Sequence, residues 1–421
     1  MKKQHILQNG IKIIVDEMPH MRSSSIGIWV GVGGRHETKE EAGLAHFIEH
    51  IVFKGTKERS CQEIKESIEG IGGSLNAFTA KEYTCFYAKV LGKDTEIALE
   101  VLSDMVLNPS LKDSDIEQEK DVILEEIKMY MDSPSQQVHD YLDEILWPNH
   151  PMGYFLTGPQ ENVSRFIASD FKDFRAKHYT PNRMVISVAG DVIAEDIFLD
   201  VEGNFASLDS LKTVQAEKVL FDPVVFPVHW RQKDTEQAHL ALGIHAYSRT
   251  HPMCYPLSIL NIILGGNMSS RLFQELREEQ GLAYDVRSSV YRYEDTGTLE
   301  ISAGLESENL EKTLLVTMKA LKRLKDELVS EDELARAKAY YKGRVQLSLE
   351  KTSTRMSWQG EDLLFRDRPF SEQNILEQIN AVSAESLQKV AQDIFQDKRI
   401  CMAVISPKHK PENLNDCLHV L

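Results

Sequence analysis

The chain carries one pattern of strands and helices twice, and this internal duplication constrains its fold more than any other feature of the sequence. Three pairs of similar segments occur in the same order, and the two members of each pair are 215 to 218 residues apart. The anchor residues of these pairs are Ala88 and Ala303, Lys120 and Lys338, and Arg183 and Arg399. Nearly equal separations in a constant order indicate a duplicated unit. The sequence therefore predicts two related halves of about 200 residues each.

Within each half, short alternating strands are interrupted by long amphipathic helices. This pattern predicts an α+β fold in which each half is a mostly antiparallel or mixed sheet with helices on one side. The helical period is lost between Leu208 and Pro227, and prolines interrupt that stretch. We therefore expect an N-terminal half at residues 1–210, a linker at 211–226 and a homologous C-terminal half at 227–421.

The bulk properties of the sequence exclude several classes of partner. The net charge is -17, from 48 basic and 65 acidic residues, and this disfavours nucleic acid, because phosphate binding needs a basic surface. No stretch approaches the ~18 apolar residues that a membrane span needs. The five cysteines never form a CxxC pair, which argues against a disulfide framework and a thiolate metal site. The first residues lack the features of a secretory or organelle leader, so we expect a cytoplasmic location.

The segment from Gly43 to Phe53 places two histidines and a glutamate within an otherwise apolar helix. His46, Glu49 and His50 occupy positions i, i+3 and i+4, which share one helix face. Two imidazoles one turn apart can bind one metal ion, and the glutamate then lies where a general base is needed. The order H-x-x-E-H is the inverse of the more familiar H-E-x-x-H zinc motif. A salt-bridged cluster without metal is the alternative that the motif alone leaves open.

A catalytic zinc site needs a third protein ligand, and an acidic helix predicted between Ser114 and Tyr130 is its candidate source. Glu119 and Glu126 are seven residues apart and share a helix face. Glu125 competes with Glu126 but is rotated from it by ~100°. Spacing alone does not choose among these carboxylates.

These segments together resemble the pitrilysin and insulysin family of zinc metallopeptidases, and the resemblance extends over the whole chain. Within this family, the segments most resemble the mitochondrial-processing-peptidase-like enzymes. The segments that carry the resemblance are Gly43–Thr56, Gly72–Thr79, Glu119–Glu126 and Pro181–Met184.

The resemblance implies one zinc ion per chain, bound by His46, His50 and Glu126, with Glu49 as the general base. It also implies that Glu119 supports the site from outside the set of metal ligands. The equivalent positions of the second half contain neither the H-x-x-E-H motif nor a matching glutamate. We therefore expect a metal site in the N-terminal half alone.

The resemblance also implies where a substrate lies. Asn76 and Ala77 match positions in an edge strand beside the zinc, where peptide backbone is bound through main-chain hydrogen bonds. Arg277 and Tyr284, in the second half, match an arginine–tyrosine pair that meets the substrate. Because one chain carries both the zinc motif and this pair, we expect one chain type assembled with itself as a homodimer.

The resemblance implies a zinc-dependent endopeptidase. In this interpretation the two halves face each other around a closed chamber, in which peptides or unfolded, presequence-like segments are hydrolysed. The alternative from another functional class is a non-catalytic scaffold or assembly subunit that keeps the fold and the zinc without turnover. Metal content together with a peptide-cleavage assay separates the two.

Overall fold

The structure is a computed structural model of the chain, and it describes residues 1–209, 214–220, 228–412 and 414–420. Parts of the predicted linker 211–226 lie outside the described residues. The chain forms two compact units, each built from three segments of the sequence. The first unit comprises Met1–Lys128, Tyr154–Glu217 and Leu347–Phe370, and the second comprises Met129–Gly153, Lys218–Gln346 and Ser371–Leu421. The domain bounds expected from the sequence stay a prediction.

A mixed sheet forms the centre of the first unit. Its strands run in the order β1-β2-β6-β3-β5-β4, and all neighbours are antiparallel except the parallel pair β2–β6. Strand β6 is buried along its full length, as expected for a central strand covered on both faces. The strands are β1 (Lys2–Ile6), β2 (Lys12–Glu17), β3 (Ser23–Val30), β4 (Ser74–Thr79), β5 (Thr84–Leu91) and β6 (Met184–Gly190).

The second unit has a sheet of the same design. The strand order is β7-β11-β8-β10-β9, and again one pair, β7–β11, is parallel. Strand β11, like β6, is completely buried. The strands are β7 (Val228–Gln232), β8 (Ala238–Ala246), β9 (Ala283–Arg292), β10 (Gly297–Leu305) and β11 (Ile400–Ser406).

The two sheets confirm the internal duplication. Strands β2, β6, β3, β5 and β4 of the first correspond in order and direction to β7, β11, β8, β10 and β9 of the second. Ala88 lies in β5 opposite Ile26 of β3, and Ala303 lies in β10 opposite Leu240 of β8. The alanines paired from the sequence thus occupy equivalent places in the two sheets. The predicted α+β class with two homologous halves is confirmed.

Helices cover both sheets. In the described part of the chain, none of them is long and apolar enough to cross a membrane. The first are α1 (Leu44–Ile51), α2 (Cys61–Glu69), α3 (Thr95–Leu107), α4 (Asp113–Met131), α5 (Pro134–Leu146), α6 (Gln160–Arg165), α7 (Ala168–His178) and α8 (Ala194–Phe205). The remainder are α9 (Cys254–Leu264), a π-helix (Phe273–Glu279), α10 (Leu310–Asp326), α11 (Glu331–Ser348), α12 (Thr352–Arg366), α13 (Glu372–Ala381) and α14 (Ala384–Ile394).

Each sheet also carries, on its other face, a helix from the opposite half of the sequence. Helix α5 belongs to the second unit, where Val138 and Leu142 pack with residues of β8 and β11. Helix α12 belongs to the first unit, where Met356 and Leu363 pack with Trp29 of β3. Because side chains alternate along a strand, Ile26 and Ile28 of β3 face the main core while Trp29 faces α12. This exchange gives each sheet a second covered face.

Candidate metal centre

Helix α1 starts at a glycine whose left-handed backbone conformation is easily adopted only by glycine. Gly43 has φ +98°, and a Cβ placed there would lie 2.7 Å from the Thr157 carbonyl oxygen. A side chain at this position therefore cannot cap the helix. The buried Glu37 carboxylate supplies the cap instead, since it accepts the N–H groups of Gly43 at 3.0 Å and Ala45 at 2.6 Å. The start of the helix that carries the H-x-x-E-H motif is thus held by a residue outside it.

His46, His50 and Glu126 lie together, and one donor atom from each is within 4.8 Å of the other two. Oε2 of Glu126 is 3.8 Å from Nε2 of His46 and 3.4 Å from Nε2 of His50. This oxygen is buried and has no hydrogen-bond partner among the described residues. A buried carboxylate oxygen that faces two imidazole nitrogens without a hydrogen bond is suited to share a bound cation with them.

The donor set fits zinc. Zinc binds imidazole nitrogen and carboxylate oxygen at ~2.0–2.2 Å in tetrahedral geometry, which places neighbouring donor atoms about 3.3 Å apart. The distances of 3.4 and 3.8 Å between Glu126 and the two histidines are close to this spacing. Burial lowers the pKa of His46 to about 3, and nearby His50 adds to this effect. His46 is therefore neutral, as a metal ligand must be.

The second nitrogen of His50 faces another carboxylate. Nδ1 of His50 lies 2.9 Å from Oε1 of Glu119, whose second oxygen forms an ion pair with Lys54. Burial raises the pKa of Glu119, but its contacts with His50 and Lys54 outweigh burial and hold that pKa below the ordinary value. The Glu119 carboxylate is thus charged and orients the His50 ring.

Glu49 lies between the two histidines in sequence and is half-buried. The Thr79 hydroxyl donates a hydrogen bond of 2.7 Å to its Oε2. Burial raises the pKa of Glu49, and the hydrogen bond from Thr79 partly opposes this rise. The donor atoms that lie together come from His46, His50 and Glu126, so Glu49 is adjacent to the set without belonging to it.

Helix α4 places Glu126, and not Glu125, beside the imidazoles. The side chain of Glu125 is 69% exposed and pairs with Lys128 at 2.6 Å. Ile123 and Ile127 are buried in the core, and they orient the helix so that Glu126 points inward. The packing of α4 thus places Glu126, the candidate ligand, beside the imidazoles and leaves Glu125 exposed.

Strand β4 forms an edge of the first sheet, as the resemblance implied. It pairs with β5, and within the described residues its other side has no neighbouring strand. Asn76 is exposed and Ala77 is buried, so their side chains lie on opposite faces of the strand. Thr79 shares the face of Ala77, and this alternation brings its hydroxyl to Glu49. This edge of β4 thus lacks a partner strand, while the N–H of Ala77 donates to Oδ1 of Asn76 at 2.8 Å.

Arg277 and Tyr284 contact each other in the second unit. Arg277 lies in the π-helix, and its guanidinium carbon is 5.1 Å from the centre of the Tyr284 ring and 4.9 Å from that of Phe273. Such distances are typical of cation–π contacts. Tyr284, in edge strand β9, is 74% exposed. Its ring therefore does not contribute to the core.

The sequence did not identify two residues of this site. Thr79 contacts Glu49, and Lys54 contacts Glu119. Both lie within segments that carry the family resemblance, but neither residue type is diagnostic. The alternation of β4 was the available signal for Thr79, since it places residues 77 and 79 on one face. For Lys54, the signal was its position four residues after His50, one helical turn further.

Comparison with known proteins identifies the family. Residues 12–160 match the family model for insulinase, peptidase family M16, and residues 165–341 match the model for the peptidase M16 inactive domain. YmxG of Bacillus subtilis, an uncharacterized zinc protease, is 41% identical over 408 residues, covering 97% of this chain and 98% of the relative. An uncharacterized zinc protease of Mycobacterium tuberculosis is 36% identical over 421 residues, covering 99% of this chain and 95% of the relative.

Two solved structures share the fold. A protease from Helicobacter pylori has a TM-score of 0.89 at 22% identity, over 97% of this chain and 99% of that one. A peptidase M16 inactive domain from Pseudomonas fluorescens also has a TM-score of 0.89, at 18% identity, over 98% and 99% of the two chains. The near-complete match to relatives more than a third identical, together with the two family models, carries the assignment. The chain belongs to the insulinase family of peptidases, family M16.

Proposed function

We propose that this protein is a zinc-dependent endopeptidase that binds one zinc ion through His46, His50 and Glu126. The observation that carries this proposal is the buried Oε2 of Glu126, which faces Nε2 of both histidines without a hydrogen-bond partner among the described residues. Zinc bound to this set supplies Lewis acidity toward water and a peptide carbonyl. Both relatives are named as uncharacterized zinc proteases, and this supports the choice of metal.

Glu49 acts as the general base in this proposal. It lies on the same helix face as the two histidines without joining the donor set. Its carboxylate accepts a proton from the attacking water and passes it to the nitrogen of the leaving amine. The raised pKa of Glu49 suits both steps, because a base whose pKa lies nearer neutrality accepts and returns a proton more readily. Thr79 holds one oxygen of this carboxylate in place.

The substrate of this reaction is an extended peptide or an unfolded segment. The free edge of β4 can pair with a peptide backbone of any sequence, which brings the substrate alongside Asn76 and Ala77. Arg277 and Tyr284 are donors for the substrate from the second half, and they stabilise the charge that develops on the scissile carbonyl oxygen. Presequence-like substrates, a closed chamber, a homodimer and a cytoplasmic location stay predictions made from the sequence.

Digestion of a mixed peptide library, analysed by mass spectrometry, tests the proposal. We expect cleavage at internal bonds by the zinc-loaded protein, loss of cleavage after treatment with a chelator, and recovery after zinc is restored. Zinc binding without cleavage of any peptide would favour the scaffold or assembly subunit. Cleavage that persists when bound metal has been removed and verified absent would contradict the metal mechanism.

A further inference from the structure

Lys54 lies one helical turn beyond His50, in a 3-10 turn (Val52–Lys54) that continues directly from α1. Its ammonium group forms an ion pair with Oε2 of Glu119 on α4. The other oxygen of that carboxylate, Oε1, is 2.9 Å from Nδ1 of His50. Both oxygens of Glu119 are therefore used, one by Lys54 and one by His50. The lysine and the histidine approach the same carboxylate from the same helical segment.

The burial of Glu119 makes this ion pair more consequential than an ordinary surface contact. Its side chain is 5% exposed, whereas that of Lys54 is 26% exposed. Exposed ion pairs contribute little to stability, but removing the partner of a buried charge leaves that charge uncompensated. Without Lys54, one oxygen of the Glu119 carboxylate would lose its ion pair, and the carboxylate could turn toward solvent. Its contact with His50 would then weaken.

The contact between Glu119 and His50 determines which nitrogen of His50 is available to a metal. A carboxylate beside Nδ1 favours the tautomer with the proton on Nδ1, which leaves the lone pair of Nε2 free. Nε2 is the nitrogen that faces Glu126, at 3.4 Å from its Oε2. The order of contacts from Lys54 through Glu119 to His50 thus ends at the candidate metal position.

We propose that Lys54 is a positioning residue for the metal site, which holds the Glu119 carboxylate in place and thereby orients His50 for zinc. This inference rests on the proposed function, because that proposal assigns zinc to the site. Lys54 itself touches neither metal nor substrate in this proposal. Its effect is therefore expected in zinc affinity, and it requires Glu119.

Zinc affinity of the purified apo-protein, measured by competition with a chromophoric chelator, is the primary test. Partners of metal-bound histidines typically contribute 10–100-fold to metal affinity. We expect Lys54→Met to weaken zinc binding by about 10–100-fold, and Lys54→Arg to recover part of this loss, because arginine keeps the positive charge. Zinc affinity of Lys54→Met within twofold of the wild type would overturn the inference.

A double-mutant cycle distinguishes positioning through Glu119 from a general effect on folding. Glu119→Gln removes the charge that Lys54 compensates, so adding Lys54→Met to this variant should weaken zinc binding no further. Equal losses from Lys54→Met in both backgrounds would contradict the inference. Because the comparison is made between two variants, it remains informative even where Lys54→Met lowers the melting temperature.

Lys120→Met is the matched control. Lys120 is a buried lysine on α4, next to Glu119, and it pairs with the exposed Glu117 at 2.6 Å. We expect the zinc affinity of the Lys120→Met variant to equal that of the wild type. Failure of the proposed function has a different signature, since the wild-type protein itself would then not bind zinc tightly or not cleave peptides. A wild type that does both, with an unaffected Lys54→Met variant, would remove only the role of Lys54.

Discussion

The Thr79 hydroxyl donates a hydrogen bond of 2.7 Å to Oε2 of Glu49, and this contact joins the edge strand β4 to the helix that carries the candidate metal ligands. The strand proposed to bind the peptide backbone thus also holds the proposed general base. Substrate position and base position are therefore linked through one strand.

Removing this hydroxyl tests the link. We expect Thr79→Val to lower kcat about tenfold, because the hydroxyl holds the Glu49 carboxylate where it accepts the proton, and about 1.4 kcal/mol of lost transition-state stabilisation, within the range for one hydrogen bond, is tenfold in rate. Zinc content should not change, since Thr79 contacts no member of the donor set. Thr79→Ser keeps the hydroxyl and is the control. Equal turnover in the valine and serine variants would show that the contact does not serve catalysis.

The assignment of Glu126 as a ligand is tested against its neighbour in sequence. Glu126→Gln should lose most bound zinc, because it replaces one of three protein ligands with a weaker donor. Glu125→Gln should keep its zinc, since Glu125 is exposed and pairs with Lys128. Zinc content of both variants is measured on dialysed protein by atomic emission. The reverse outcome, zinc lost from Glu125→Gln alone, would contradict the ligand set.

The sequence predicts those parts of this site that depend on helical periodicity, but not those that depend on packing in the core. The positions of His46, Glu49 and His50 follow from helical periodicity, and they lie as the motif predicts. Selection of Glu126 over Glu125 depends on the rotation of α4 about its axis, which Ile123 and Ile127 set by packing in the core. The spacing of residues along the helix does not determine that rotation, so the family resemblance was needed to choose Glu126 over Glu125.

The exchange of α5 and α12 was not accessible from sequence periodicity. An amphipathic pattern shows that one face of a helix is buried, but it does not show which sheet covers that face. From the sequence pattern, Val138 and Leu142 of α5 could equally pack against the sheet of their own half. Their actual partners lie in β8 and β11, far along the chain. Contacts at such sequence separation depend on the tertiary fold.

The arginine–tyrosine pair of the second half leads to a kinetic prediction. Arg277→Ala and Tyr284→Phe should each lower turnover by about 10²-fold, a value typical of removing one oxyanion donor. Zinc content and melting temperature should stay unchanged, because Tyr284 is largely exposed and lies outside the core. Tyr291→Phe, in the same strand, is the control for loss of a hydroxyl. Unchanged cleavage in both Arg277→Ala and Tyr284→Phe would exclude this role.

A buried histidine outside the metal site predicts sensitivity to acid. Both ring nitrogens of His178 are buried without a hydrogen-bond partner among the described residues, and its ring packs 4.5 Å from that of Phe174. Burial lowers the pKa of His178 to about 4, and the charges of Lys177 and Arg183 add to this. Between pH 6.5 and 4 the unfolded chain therefore binds a proton that the folded chain does not. Stability must fall as the pH is lowered through this window.

His178→Phe removes the group that binds this proton. The free energy of unfolding of the variant should therefore fall less steeply as the pH is lowered. The free energy of unfolding, measured in urea at pH 7 and pH 5, should fall less in this variant than in the wild type, by about 1 kcal/mol after allowance for solvent screening. The exposed His20 provides a control, and His20→Asn should follow the wild type. An identical decline in His178→Phe and the wild type would show that His178 does not contribute to acid sensitivity.

The most direct test of the central claim is the turnover of Glu49→Gln loaded with zinc. The glutamine keeps the size of the side chain but cannot accept the proton of water, and loss of a general base costs about 10²–10⁴ in rate. Zinc content should equal that of the wild type, because Glu49 lies outside the donor set. Peptide cleavage and bound zinc are measured on the same preparation. We predict full zinc occupancy with turnover reduced by at least about a hundredfold, and turnover close to that of the wild type at full occupancy would contradict the mechanism.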